Sequence, residues 1–248
     1  MSRLPLLVSG AIGDALGRTR TWTVAGWTTF FVFAAARVIV PARSDGSAGL
    51  SVFGTELLHA LGRSPDAPAA SLPIAILAGF LVCLPVAGFA LAHGPLRVHL
   101  ADRRLRVLAL RCSRSELWLA RLLGDSAVLG GITLTAGLLA AWNGHVRADA
   151  LALSQTLGPA VGATALATVY GVVFVIAGHL VAVARQRALW LAAAIVLTIV
   201  LLAASSLAAP LGGLLSGGVG ALGAVAVLAV AAAALGALGH ALFQRVAL

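Results

Sequence analysis

Side chains able to do chemistry are few in this sequence, and their placement narrows what they can do. Six of the 17 basic residues fall in one stretch, ADRRLRVLALRCSRSELWLARLLGD at positions 101–125: Arg103, Arg104, Arg106, Arg111, Arg114 and Arg121. Within it Ser113 precedes Glu116 by three positions, the spacing of a capping box. There the serine oxygen accepts from the glutamate amide while the glutamate side chain returns to the serine amide. Asp125 follows Arg121 by four, which predicts an ion pair anchoring a helix. His93, His179 and His240 stand near the ends of apolar runs without an acid close in sequence, a placement that suits an interface better than catalysis. No nucleophile and base fall where a membrane protease would need them. No paired carboxylates interrupt the apolar runs as in a proton relay. Cys83 lies in an apolar run and Cys112 in a polar loop, so neither a disulfide nor a metal site is expected. The sequence predicts no catalytic residue, no metal ligand and no cofactor site.

The elements that must position these residues are membrane spans. The chain is 60% hydrophobic and 10% charged, with a mean hydropathy of +1.03, and a water-exposed surface needs far more charge than that. Runs of about 20 apolar residues match a hydrocarbon core of about 30 Å. Six such runs are expected, at 22–40, 72–92, 117–141, 157–184, 188–207 and 218–242. The alternating polarity of a membrane β-barrel is absent from the sequence. The predicted fold is therefore all-α, a single transmembrane domain of six helices over residues 1–248. Leu4, Leu7, Val8, Ala11, Ile12 and Ala15 recur at helical spacing ahead of the first run. They predict an interfacial helix on the inner leaflet, not a cleaved signal peptide. A short surface helix is expected at 54–61.

Charge orients the chain. Every basic residue is arginine, in keeping with a GC-rich, bacterial genome. With the N-terminus inside, Arg3, Arg18, Arg20, Arg97, Arg103, Arg104, Arg106, Arg111, Arg114, Arg121, Arg185, Arg187 and Arg245 fall on the cytoplasmic side. Arg37, Arg43, Arg63 and Arg147 fall at or beyond the outer face. The positive-inside rule thus accounts for the net charge of +9 without nucleic acid. It places both termini in the cytoplasm of a cell-membrane protein.

The inner loop 93–116 is the one cytoplasmic loop of substantial length. On a helical wheel Leu105, Leu108, Ala109 and Cys112 share one face and Arg103, Arg106 and Arg114 the opposite one, with Arg104 and Arg111 at the border. This predicts an amphipathic helix at the inner surface, then a capped restart into the third span. Inner loops are basic for topology and for contact with anionic lipid. A helix, a cap and a restart together suit a docking element for a cytoplasmic partner.

The run SRSELWLARLLGD resembles the inner-loop signature of type-2 ABC transporter permeases. In that family a Ser-Arg-x-Glu-Leu run leads into a Gly/Ala-Lys/Arg-Leu-Leu-Gly step at the start of the third span. Ser113, Arg114, Glu116, Leu117, Ala120, Arg121, Leu122, Leu123 and Gly124 fit it. The junction YGVVFVIAGHLVAVARQRALWLAAAIVL and the ending LFQRVAL are similar to the family's tight cytoplasmic turn and its last span. The family's lead-in Gly, and the Pro before its Ser-Arg, are replaced here by Arg103–Leu105 and Arg111. The arginine-rich run is also similar to the macrolide-exporter and cell-division class. That class has four spans and a large outer domain, where this chain has six expected spans and an outer loop of about thirty residues. The resemblance implies a permease subunit working with a separate ATP-binding subunit and a second copy or paralogue of itself. It implies partner contacts at Arg103, Arg104, Arg106, Arg111, Ser113, Arg114 and Glu116; the alanine, valine, leucine and glycine of the expected spans suit an apolar or amphiphilic substrate.

A rival reading is an ion- or proton-coupled protein, a stator-like channel or secondary carrier; a third is a scaffold without transport. The run LGPAVGATALATVYG at 157–171 is similar to a span of proton-driven motor proteins. Those carry a cytoplasmic insert that this chain lacks, and Ala163, Ala167 and Gly171 read better as small-residue helix packing. The topology can be tested directly. A cysteine at Ser47 is expected to react with an impermeant thiol reagent from outside, and one at Ser113 only after permeabilisation; the reverse pattern overturns the orientation.

Overall fold

The computed structural model describes residues 3–39, 68–101, 112–147, 153–184 and 220–245. These form six helices and no strand: α1 (Leu4–Leu16), α2 (Thr19–Ile39), α3 (Pro68–Ala101), α4 (Arg114–Arg147), α5 (Leu153–Ala184) and α6 (Gly220–Arg245). Four of them, α3 to α6, are long and apolar enough to cross a membrane. α2 occupies the first expected span as a helix of 21 residues, about 31 Å long at 1.5 Å per residue. The expected fifth span at 188–207, the surface helix at 54–61 and most of the predicted amphipathic helix (102–111) lie outside the described residues.

Two boundaries differ from the sequence reading. α3 continues through Gly94 and Pro95 to Ala101, so part of the expected inner loop is helix. α4 runs on to Arg147, and α5 begins at Leu153, which shortens the expected loop around residue 148. Proline and glycine end helices in water, where a freed carbonyl finds a solvent partner. In an apolar bundle neighbouring helices and local adjustment re-satisfy the backbone, so such helices continue. α3 accordingly carries Pro73, Pro85 and Pro95 in its interior.

The expected N-terminal helix is present as α1. Pro5 sits in its first turn, where the missing N–H would have had no helical partner. Its last carbonyls are taken up by the next helix: Thr21 Oγ1 donates to the Ala15 carbonyl at 2.6 Å and Trp22 Nε1 to that of Leu16 at 2.9 Å. Ala11 and Ala15 are buried, and α1 lies along the start of α4. The approach is close because Gly124 stands opposite: a Cβ there would meet the Ala11 Cβ at 2.7 Å.

α5 is the axis of the bundle. Its contact with α3 is the most extensive among the described helices, and α4 and α6 pack on its other sides. Apolar burial drives little in lipid, because acyl chains are as apolar as leucine; close packing and interhelical hydrogen bonds carry association instead. Both are present. A Cβ on Gly88 would lie 2.8 Å from the Gly171 carbonyl oxygen, and one on Gly178 would lie 3.0 Å from the Phe89 carbonyl oxygen. The Thr133 and Thr168 hydroxyls meet at 2.7 Å between α4 and α5, an interaction of about 0.6 kcal/mol in such settings. Ala163, Ala167 and Gly171 all face inwards, so this small-residue row packs helices within one chain. Outward faces are apolar too. Leu134, Leu138 and Trp142 form an exposed row on α4, as do Val82 and Val86 on α3, a surface suited to lipid and not to water.

The glycine contacts rank three substitutions. Gly88→Leu drives a side chain into α5 backbone and is expected to lower the melting temperature of the detergent-solubilised protein most. Gly171→Leu meets the movable side chains of Leu129 and Leu84 and should cost about 1–3 kcal/mol. Gly131→Leu meets nothing within 4 Å and should change little; equal melting of all three would refute the ranking.

Candidate functional site

Ser113, Arg114, Glu116, Arg121, Asp125, His179 and His240 gather at one end of the bundle, where α4 begins and α5 and α6 end. The expected capping box is formed. The Ser113 amide donates to Glu116 Oε2 at 2.9 Å and the Glu116 amide to Ser113 Oγ at 3.2 Å, with the Ser113 hydroxyl also 3.0 Å from that carboxylate. Two orphan amides of the first turn are thereby satisfied, and the carboxylate stands at the positive end of the helix dipole. α4 therefore starts at a defined residue, Arg114.

Arg114 turns across to α6. Its Nη1 donates to the Gln244 backbone carbonyl at 2.6 Å. Gln244 is in the last turn of α6, where carbonyls lack helical partners and a cation complements the dipole. Beside it, His240 Nε2 lies 3.0 Å from both Ser115 Oγ and Gln244 Nε2, and Gln244 Nε2 donates to Ser115 Oγ at 3.0 Å. A serine hydroxyl against an imidazole is the first requirement of a nucleophilic pair. Here the third group is an amide meeting the same ring nitrogen, and among the described residues no acid orients the ring. The arrangement is a clasp between the start of α4 and the end of α6.

Beneath the clasp lies a small apolar core of Leu96, Leu117, Trp118, Ala182, Val183 and Phe243, with Leu7 and Cys112 against it. Trp118 is its centre. Its indole fills the gap left by Gly239, where a Cβ would come within 2.6 Å of the ring. It also stands 5.5 Å from the Phe243 ring and 5.6 Å from that of His179, centre to centre. Both cysteines, Cys83 and Cys112, are free thiols.

Under Trp118 the structure overturns two sequence expectations. Arg121 does not pair with Asp125. Its Nη1 reaches 2.9 Å to Asp14 of α1, and Arg18 binds the same carboxylate. Asp125 instead faces α5, with its Oδ2 at 3.0 Å from His179 Nε2. The carboxylate lies off the line of the ring N–H, so the contact is a short electrostatic one and not a directed hydrogen bond; Nδ1 has no hydrogen-bond partner either. His179, expected at an interface, is 1% exposed, and Asp125 is 3% exposed. The reason is geometric. Arg121 and Asp125 are one turn apart, but α1 lies along α4 at Gly124, so Asp14 meets the guanidinium first. The sequence signal for the buried pair was weak: one acid in LLGDSAVL and one histidine in VIAGHLVAV, each alone in an apolar run.

Of the seven residues proposed for partner contact, Ser113, Arg114 and Glu116 are used within the chain as described. Arg103, Arg104, Arg106 and Arg111 lie outside the described residues. No known family model matches this sequence, and no curated protein matches it either.

The cap has a measurable role. Ser113→Ala removes the side-chain acceptor for the Glu116 amide and should weaken the first turn of α4 by about 1 kcal/mol. Hydrogen exchange should then speed up at the Ser115–Leu117 amides and leave the Thr133–Thr168 region unchanged. Unaltered exchange in that turn would show that Arg114 and His240 hold the helix start without the cap.

Proposed function

We propose that the chain is the membrane permease subunit of an ATP-driven transporter of the type-2 ABC class, working with a separate ATP-binding subunit. The observation that carries the reading is the capped start of α4 at the end of the arginine-rich stretch. A helix that begins at a fixed residue, directly after a cationic segment, can pass on a push received by that segment. The Arg114–Gln244 and Ser115–His240–Gln244 contacts tie the start of α4 to the end of α6. Movement at the cytoplasmic end would therefore reach two helices together.

In this reading Arg103, Arg104, Arg106 and Arg111 dock an acidic groove on the ATPase subunit by charge and hydrogen bonding. Closure of two ATPase subunits on ATP moves this arginine-rich segment, and with it α3 and α4. Two copies of the chain, or the chain and a paralogue, enclose a path lined by alanine, valine, leucine and glycine, which suits an apolar or amphiphilic substrate. The subunit lies in the cell membrane of a bacterium with six spans and both termini in the cytoplasm. Hydrolysis of ATP belongs to the partner chain.

The test reverses the docking charge. Arg103→Glu with Arg106→Glu should abolish co-purification with the co-expressed ATPase subunit and leave membrane insertion intact, because eleven inner arginines still outnumber four outer ones. Partner binding and substrate-stimulated ATPase activity that both survive the reversal would reduce these arginines to topological signals.

A further inference from the structure

The buried carboxylate–imidazole contact takes no part in docking, and its chemistry is independent of the ATP-driven reading. Ionisable groups inside an apolar helix bundle are expensive and mark functional positions unless they are neutralised. Asp125 is buried against α5, and an isolated buried carboxylate costs several kcal/mol. A cation or a bound proton must therefore neutralise it. Arg121, one turn away on the same helix, is committed to Asp14 of α1. Arg114 is turned to the end of α6. From α6, His240 is held by Ser115 and Gln244. α3 carries His93, whose ring stacks on Phe89, and Arg97 one turn further on. Glu116 is bonded to Ser113. The group in contact with Asp125 is the His179 ring, at 3.0 Å.

We propose that Asp125 and His179 form a proton-binding site inside the bundle, its ligand a single proton carried on the imidazole against the carboxylate. With the proton bound, the pair is an ion pair of no net charge. With the proton gone, a lone anion remains between α4 and α5. Neither ring nitrogen is tied by a directed hydrogen bond, so the ring is not locked into one tautomer, and Nδ1 is open to receive or pass on the proton. Two donors fall short of a metal ion's usual set, and among the described residues no third histidine, cysteine or acid joins them. The sign follows from the pairing. Proton uptake by the ring supplies the charge that answers Asp125, so the α4–α5 contact is tighter with the proton bound than without it.

Trp118 supplies the readout. Its ring centre is 5.6 Å from that of His179, within the range over which a cation acts on an aromatic ring, and an imidazolium quenches indole emission where a neutral imidazole does not. In full-length protein with Trp22→Phe, Trp27→Phe, Trp142→Phe and Trp190→Phe, only Trp118 emits. Titrated in detergent from about pH 9 down to about pH 4, a range that brackets histidine, emission should fall in one single-proton step. His179→Gln should remove that step, while His93→Gln and His240→Gln keep it. Asp125→Asn should move the midpoint, because the group that faces the ring has lost its carboxylate. Absence of any step in the protein with His179 and Asp125 both present overturns the proposal without recourse to a variant. So does a step that His179→Gln leaves unchanged, or a midpoint that Asp125→Asn does not move.

Discussion

The close approach of α5 to its neighbours is the constraint on which the rest of this structure depends. In an apolar surrounding nothing expels leucine from the solvent, so helices hold together only where their backbones come near enough for dense van der Waals contact. Gly88 and Gly171 permit that between α3 and α5, and Gly178 repeats it two turns later against Phe89 and Ala92. The approach sets the spacing of the bundle at its centre. It thereby fixes how far the ends of α4 and α6 lie from α5, and which polar groups can touch there.

Those polar groups divide by depth. In the middle of the bundle hydroxyls suffice: Thr164 and Thr168 donate to carbonyls one turn back, and Thr133 meets Thr168 across the interface. Towards the end where α4 begins, charges appear, and three contacts join them to another helix. Asp14 of α1 takes Arg121 of α4, Asp125 of α4 takes His179 of α5, and Arg114 of α4 takes the end of α6. α4 is common to all three. Its first three turns are thus a junction, with Trp118 filling the space between the clasp above and the buried pair below. A helix tied in this way at one end and packed by small residues along its length can move as a unit. That property makes the proposed coupling to a cytoplasmic partner mechanically reasonable.

Local features were legible because their causes are local. The capping box at Ser113 and Glu116 needs only two residue types three positions apart and a helix to follow, and it formed as read. The α1 helix followed from apolar spacing over residues 4–15, and the four long apolar helices followed from composition. The small residues of α5 were correctly read as packing, since glycine and alanine at i+4 spacing serve any close neighbour. Helix ends were read less well. Gly94, Pro95 and Asn143 are breakers in water, and the continuation of α3 and α4 through them reflects an environment that offers the backbone no better partner.

The sequence by itself determined that this is a chain of long apolar helices, where α4 begins, and which faces carry small residues, because periodicity and capping act within a few turns. The tertiary structure alone decided the partners of the charges. Arg121 and Asp125 have ideal spacing for each other, yet α1 lies against Gly124 and offers Asp14, while α5 brings His179 to within 3.0 Å of Asp125. A charge takes as its partner whichever complementary group is held nearest in a medium of low dielectric. Which one that is depends on helix packing across the whole bundle, not on spacing along a single helix.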